Sequence, residues 1–141
     1  MGRRLPDQRE GNRVSWYKSK AKDYSYKTFR AYLDVVFAYA GTLSLAKELT
    51  SVPVTSMQIG DVLIQGGSPG HAVIVVDMAE NPATGEKFYL LAQSYMPAQD
   101  IQVLVNPKER DKSPWYTLKR MGNILTPEWR FTSADLKRFK N

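Results

Sequence analysis

Apolar and polar residues alternate along this chain in three distinct ways. Phe29, Leu33, Val36, Ala40 and Leu43 recur at steps of four, three, four and three, which marks one face of an α-helix. Tyr32, Phe37 and Tyr39 widen that stripe, so the pattern predicts a helix covered on more than one side. Helix-start residues between Asp23 and Ser25 open it. Gly41 interrupts it, and Thr42 or Ser44 caps a shorter second helix through Leu49. Ser51-Val52-Pro53 then ends helical structure.

From Gly60 the period changes. Asp61 follows a turn glycine, and Val62 to Ile64 is a short apolar run of the buried-strand kind. Gly66-Gly67-Ser68-Pro69-Gly70 can continue neither strand nor helix. His71 leaves that loop directly into Ala72-Val73-Ile74-Val75-Val76. Asn81-Pro82-Ala83-Thr84-Gly85 is a turn cluster, and Phe88 to Gln93 is the returning strand of an antiparallel hairpin. If Glu80 and Glu86 flank the turn symmetrically, His71 falls opposite Tyr95 and Val73 opposite Gln93. His71 and Gln93 are then diagonal neighbours on one face, and a one-residue slip separates them. Ile101 to Val105 reads as a third strand of the meander. Pro114-Trp115-Tyr116 is an aromatic knot in a loop, and Glu128 to Phe131 an edge strand or extended segment. Thr132 and Asp135 have capping-box spacing, which predicts a short final helix through Phe139. Helices followed by mostly antiparallel strands make an α+β arrangement.

Composition narrows the chemistry. The 141 residues suit one domain with a real core, and no apolar run reaches the roughly 20 residues that span a bilayer. No signal peptide is legible after Met1, where polar and charged residues follow. There is no cysteine, which excludes disulfides, thiolate metal sites and a thiol nucleophile within these residues. With a single histidine, no metal site and no cofactor are expected. The net charge of +6 is carried by residues 1–30, which hold nine Lys/Arg against three Asp/Glu. Residues 1–24 therefore read as a basic, poorly ordered arm, with Trp16 and Tyr17 as its anchors, before a single domain over 25–141. No nucleic-acid motif accompanies the basic residues, so nucleic acid is not the expected partner.

The sole imidazole, at the head of a buried strand behind a glycine-rich loop, is placed for proton transfer at neutral pH. The plainer alternative is that His71 caps its strand by hydrogen bonding to loop backbone. Ser68 lies in a Gly-x-Ser-x-Gly string, but a strand follows it where a nucleophile elbow needs a helix, and Pro69 removes an oxyanion donor. Asp61 suits a turn cap better than a catalytic carboxylate. Ser94, next to Gln93, is the other hydroxyl candidate at the site, and Tyr95, Trp115 and Trp129 are candidates to line a substrate groove or glycan-binding surface, or else core aromatics.

Several longer runs together resemble one family. They are Tyr39 to Leu45, Gly60-Asp61-Val62, Gly66 to Asp77, Leu91 to Gln99, Pro114-Trp115-Tyr116 and Thr126 to Trp129. They are similar to the uncharacterised bacterial family named domain of unknown function 4846, over about residues 25 to 141. More loosely, a Gly-Asp turn, a strand and a Gly-His before an apolar strand resemble the NlpC-type papain-like peptidases and amidases of bacterial cell walls. That likeness implies an N-terminal helix packed on an antiparallel sheet, with His71 as general base and Gln93 as the residue orienting it. It also implies a peptide or cell-wall glycopeptide ligand and an extracytoplasmic cell-envelope setting. The family's cysteine, on a preceding helix, has no counterpart here. The expectation is therefore the C-terminal part of such a domain, inactive alone as a cysteine peptidase, or else a non-catalytic peptide- or glycan-binding module on the same scaffold.

Overall fold

A computed structural model describes residues 9–10, 13–14, 23–95, 99–111 and 113–140. Trp16, Tyr17 and the Met96-Pro97-Ala98 part of the family-like run lie outside the described residues. The chain divides into two compact units, Met1–Gly41 and Thr42–Asn141.

In the first unit, β1 (Arg9–Glu10) pairs antiparallel with β2 (Arg13–Val14), and α1 spans Tyr26–Tyr39. The start of α1 is fixed locally. Ser25 is its N-cap and accepts from the Thr28 amide at 3.3 Å, while Asp23 accepts from the Ser25 amide at 2.8 Å. Asp23 also accepts from the Thr28 hydroxyl, and that bond first, with those from Ser25, holds its carboxyl below the ordinary range. The broad apolar stripe is not covered as its spacing predicts. Val35 is the buried residue of α1, and Phe29, Tyr32 and Phe37 are exposed.

The second unit is a seven-stranded, antiparallel sheet with a short helix on one face, so the fold is α+β. α2 covers Thr42–Glu48; the strands are β3 (Thr50–Ser51), β4 (Val62–Gln65), β5 (His71–Glu80), β6 (Lys87–Gln93), β7 (Gln102–Val103), β8 (Tyr116–Thr117) and β11 (Leu136–Arg138). The order is β3-β11-β4-β5-β6-β7, with β8 also on β6. A separate pair joins β9 (Ile124–Leu125) to β10 (Arg130–Phe131). No described helix is long and apolar enough to cross a membrane.

Alternation divides the sheet's side chains between two cores. Val62, Ile64, Ala72 and Ile74 meet Leu45, Ala46 and Leu49 on the α2 side. Leu63, Val73, Val75, Tyr89 and Leu91 face the other way, onto Leu104, Tyr116, Phe131 and Leu136. Tyr89 and Tyr116 stack at 5.5 Å, and burial pushes both phenols well above their ordinary range.

The predicted final helix is not formed. Thr132 and Asp135 do make the reciprocal capping box, but it encloses only a 3₁₀ turn, Ser133–Asp135. The chain then enters β11, where Leu136 sits opposite Leu63 and is fully buried. Seven residues are too few to nucleate a helix unaided, whereas the free edge of β4 offers ladder bonds and burial at once.

The β5–β6 hairpin contains a correction of its own register. At the turn Glu80 pairs with Lys87 rather than Glu86. The ladder shifts between Val75 and Asp77, leaving Val76 as the extra residue, and resumes with Val75 opposite Leu91 and Ile74 opposite Ala92. Continued toward the strand head, that register sets Val73 opposite Gln93 and His71 opposite Tyr95, as the pattern predicts.

Two tight features flank the first half of β5, one at Val75 and one at His71. Gly60, at φ 92°, closes a turn in which the Asp61 amide donates to the Gln58 carbonyl at 3.1 Å. The Asp61 carboxylate, 1 % exposed, accepts from the Gln58 amide at 2.8 Å and from Arg138 Nε and Nη2 at 2.7 and 2.9 Å. On the other side, the glycine loop packs under α2. A Cβ on Gly70 would strike Thr42 Oγ1, lie 2.7 Å from the Gly67 nitrogen and 2.9 Å from the Gln65 carbonyl oxygen.

Three outcomes follow from this packing. Arg138→Ala strands a buried carboxylate and is expected to cost about 3 kcal/mol in urea unfolding, the usual loss when one partner of such a pair is removed. Gly70→Ala is expected to cost about 1–3 kcal/mol by overpacking, and Thr42→Ala in the same chain does not restore it, because two of the three clashes are with backbone. Tyr89 and Tyr116 carry raised folded-state values, so their contribution is complete below pH 10 and is lost as pH rises beyond it. Ultraviolet titration should show them ionising last, together with unfolding; ionisation in step with the exposed tyrosines would contradict their burial.

Candidate functional site

The head of β5 brings its imidazole to the face away from α2. His71 is 8 % exposed, and its ring lies against Tyr95 at 5.2 Å, edge to face, Trp129 at 5.5 Å and Phe131 at 6.1 Å. Among the described residues its ring makes no hydrogen bond to loop backbone. His71 Nε2 and Gln93 Oε1 stand 2.6 Å apart, and Gln93 is 3 % exposed. A carbonyl oxygen only accepts, so Nε2 carries the proton and donates. Gln93 Nε2 in turn donates to Glu128 Oε2 at 2.5 Å, and Glu128 is exposed to solvent.

Glu128 and Trp129 arrive on a turn built for them. The Thr126 hydroxyl accepts from the Trp129 amide at 3.0 Å, and the Thr126 amide donates to the Trp129 carbonyl at 2.8 Å. Trp129 Nε1 then donates to Gln65 Oε1 at 2.8 Å, and Gln65 Nε2 donates to Asp135 Oδ2 at 2.9 Å. Gln65 pairs with His71 across the β4–β5 ladder, so this network fixes the indole beside the imidazole.

The other ring nitrogen, Nδ1, has no hydrogen-bond partner among the described residues. No buried side-chain nitrogen or oxygen among the described residues lacks a partner, and the Gln93 bond is the one His71 makes through its ring nitrogens. Nδ1 therefore reaches solvent. In the neutral ring it holds a lone pair, so the arrangement can accept a proton at Nδ1 while Nε2–H stays anchored.

The remaining predicted residues separate. Tyr95 is in contact with the imidazole. Ser94 is exposed and alternates away from Gln93, and Ser68 is exposed in the loop. Asp61 is committed to Arg138 and the Gly60 turn. Trp115 lines an open depression with Phe88, Pro82 and Glu80 at the turn end of the hairpin, with none of the imidazole's neighbours among its lining residues. α2 packs on the face opposite His71, so the Thr42 hydroxyl beside Gly70 does not serve that ring. Trp129, a groove-lining candidate from sequence, does border the imidazole, whereas Glu128 and Gln65 are not among the sequence's site candidates. The signal available for Glu128 was its place in the Thr126-Pro127 turn. Among the described residues no group of three or more His, Asp or Glu gathers round one metal position.

No curated protein and no solved structure matches the chain. A family match extends over residues 2–138, taking in the basic arm as well as the predicted domain. The chain belongs to the family described as domain of unknown function (4846).

Proposed function

We propose that this domain carries the base-bearing half of a peptidase- or amidase-type acyl-transfer site. His71 is the general base, acting through Nδ1. Gln93 is the positioning residue that fixes its tautomer and ring plane. The observation that supports this reading best is the 2.6 Å contact between His71 Nε2 and the Gln93 carbonyl oxygen, which leaves Nδ1 without a hydrogen-bond partner among the described residues. The chain has no cysteine, so the thiol that such a base would serve comes from outside these 141 residues. The papain-like assignment belongs to this proposal, as does a peptide or cell-wall glycopeptide as the acyl donor.

A second reading has an observation of its own. Tyr95 and Trp129, both partly exposed, border the imidazole. An aromatic rim with a polar centre also suits a non-catalytic module that holds a peptide or glycan.

Supplying the missing nucleophile separates the two. With 2-mercaptoethanol and a p-nitrophenyl acyl ester, Nδ1 takes the thiol proton and sulfur bonds to the acyl carbon. The ester C–O bond breaks, p-nitrophenolate leaves, and the imidazolium returns its proton to buffer. The wild-type chain is expected to exceed His71→Ala by about 10²-fold in this transfer, the lower end for a positioned base. Gln93→Leu should fall between them. Equal rates for wild type and His71→Ala would remove the base and leave the binding module.

A further inference from the structure

We propose that Glu128 is a positioning residue that sets the tautomer of His71 through the Gln93 carboxamide. This rests on the reading of His71 as a base. A glutamine side chain can present either end to its neighbours, and by itself Gln93 could offer its NH₂ to the imidazole as readily as its oxygen. The carboxylate removes that freedom. An ionised carboxylate only accepts, and Glu128 Oε2 lies 2.5 Å from Gln93 Nε2, so the amide must turn its NH₂ outward and its oxygen to His71. The imidazole must then carry its proton on Nε2. Direction passes from an exposed charge, through a buried neutral amide, to the lone pair at Nδ1.

Two further observations support this. Glu128 forms no ion pair with any described lysine or arginine, so its acceptor capacity toward Gln93 is not shared with a cation. Its backbone is held by the Thr126–Trp129 turn, and the adjoining indole is bonded to Gln65, so the carboxylate is delivered by anchored chain rather than by a free loop.

The chain's single histidine makes the test direct, because its ring ¹⁵N resonances need no separation from others. Tautomer populations of the neutral ring are read from those shifts in the whole chain. Wild type is expected to be predominantly Nε2–H. Glu128→Ala should raise the ratio of Nδ1–H to Nε2–H about fivefold, the weight of one ordinary hydrogen bond. Glu128→Gln, whose amide can accept or donate, should lie between, and Glu128→Asp should stay nearer to wild type than Glu128→Ala. An unchanged ratio in Glu128→Ala, with a clear change in Gln93→Leu, would overturn the proposal. The thiol-transfer rate of Glu128→Ala separates this from the underlying reading. A shifted tautomer with an unaltered rate would sink the base and leave Glu128 as the residue that orients the ring.

Discussion

The extra residue at Val76 is the constraint on which the site and both cores depend. The hairpin opens with Glu80 opposite Lys87. Carried unchanged to the strand head, that register would set Ile74 opposite Gln93 and turn the carboxamide onto the α2 face. The bulge absorbs one residue, so the inward positions of β5 change from Met78 on one side of it to Val75, Val73 and His71 on the other. The inward positions of β6 stay odd throughout, at Tyr89, Leu91 and Gln93. A period-two structure tolerates no half measures, and the single step brings imidazole and amide to one side. Burial holds it in place. Val75 and Leu91 are fully buried opposite one another, and any slip would put apolar groups in water and Gln93 among Leu45 and Ala46.

The sheet explains why so much of the site lies within sequence reach. His71, Gln93 and Tyr95 come from adjacent strands joined by one turn, and alternation plus turn position is enough to group them. The register near the imidazole is the predicted one even though the register at the turn is not, because the symmetric-loop assumption and the bulge differ by the same single residue. The Gly60-Asp61 turn was equally legible, since a positive φ and a carboxylate cap are local needs. The capping box shows where local reading stops. Thr132 and Asp135 meet as their spacing requires, yet the segment becomes a strand because β4 presents an open edge to it. Glu128 and Gln65 are beyond the same reasoning. Their partners lie 35 and 64 residues away, and only the tertiary return of the Thr126 turn over the sheet brings them together.

Asp61 and Glu128 illustrate opposite uses of charge. Asp61 is fully buried and answered by a guanidinium, so its charge is spent on holding β11 against the Gly60 turn. The same pairing raises the pKa of Arg138 above its ordinary value. Such a pair fixes geometry and has nothing left to offer a substrate. Glu128 stands at the surface, bonded to a neutral amide, with no cation among the described residues. Its charge is still available to whatever forms beside it.

That difference accounts for the use of a carboxamide between Glu128 and His71. A carboxylate bonded directly to an imidazole favours the charged ring, in which both nitrogens already hold protons and neither can accept one. Set back by the length of an amide, the carboxylate still dictates which nitrogen is the donor, because the amide transmits direction without contributing net charge. The charged ring gains from the carboxylate only at longer range, as it would on receiving a proton from a reacting group. For the base proposed above, this spacing serves proton acceptance better than direct contact would. Burial of Gln93 is what lets the arrangement persist. At 3 % exposure the amide has no water to turn toward, so its two ends must be satisfied by His71 and Glu128 together or left unpaired at a cost of about 1–3 kcal/mol.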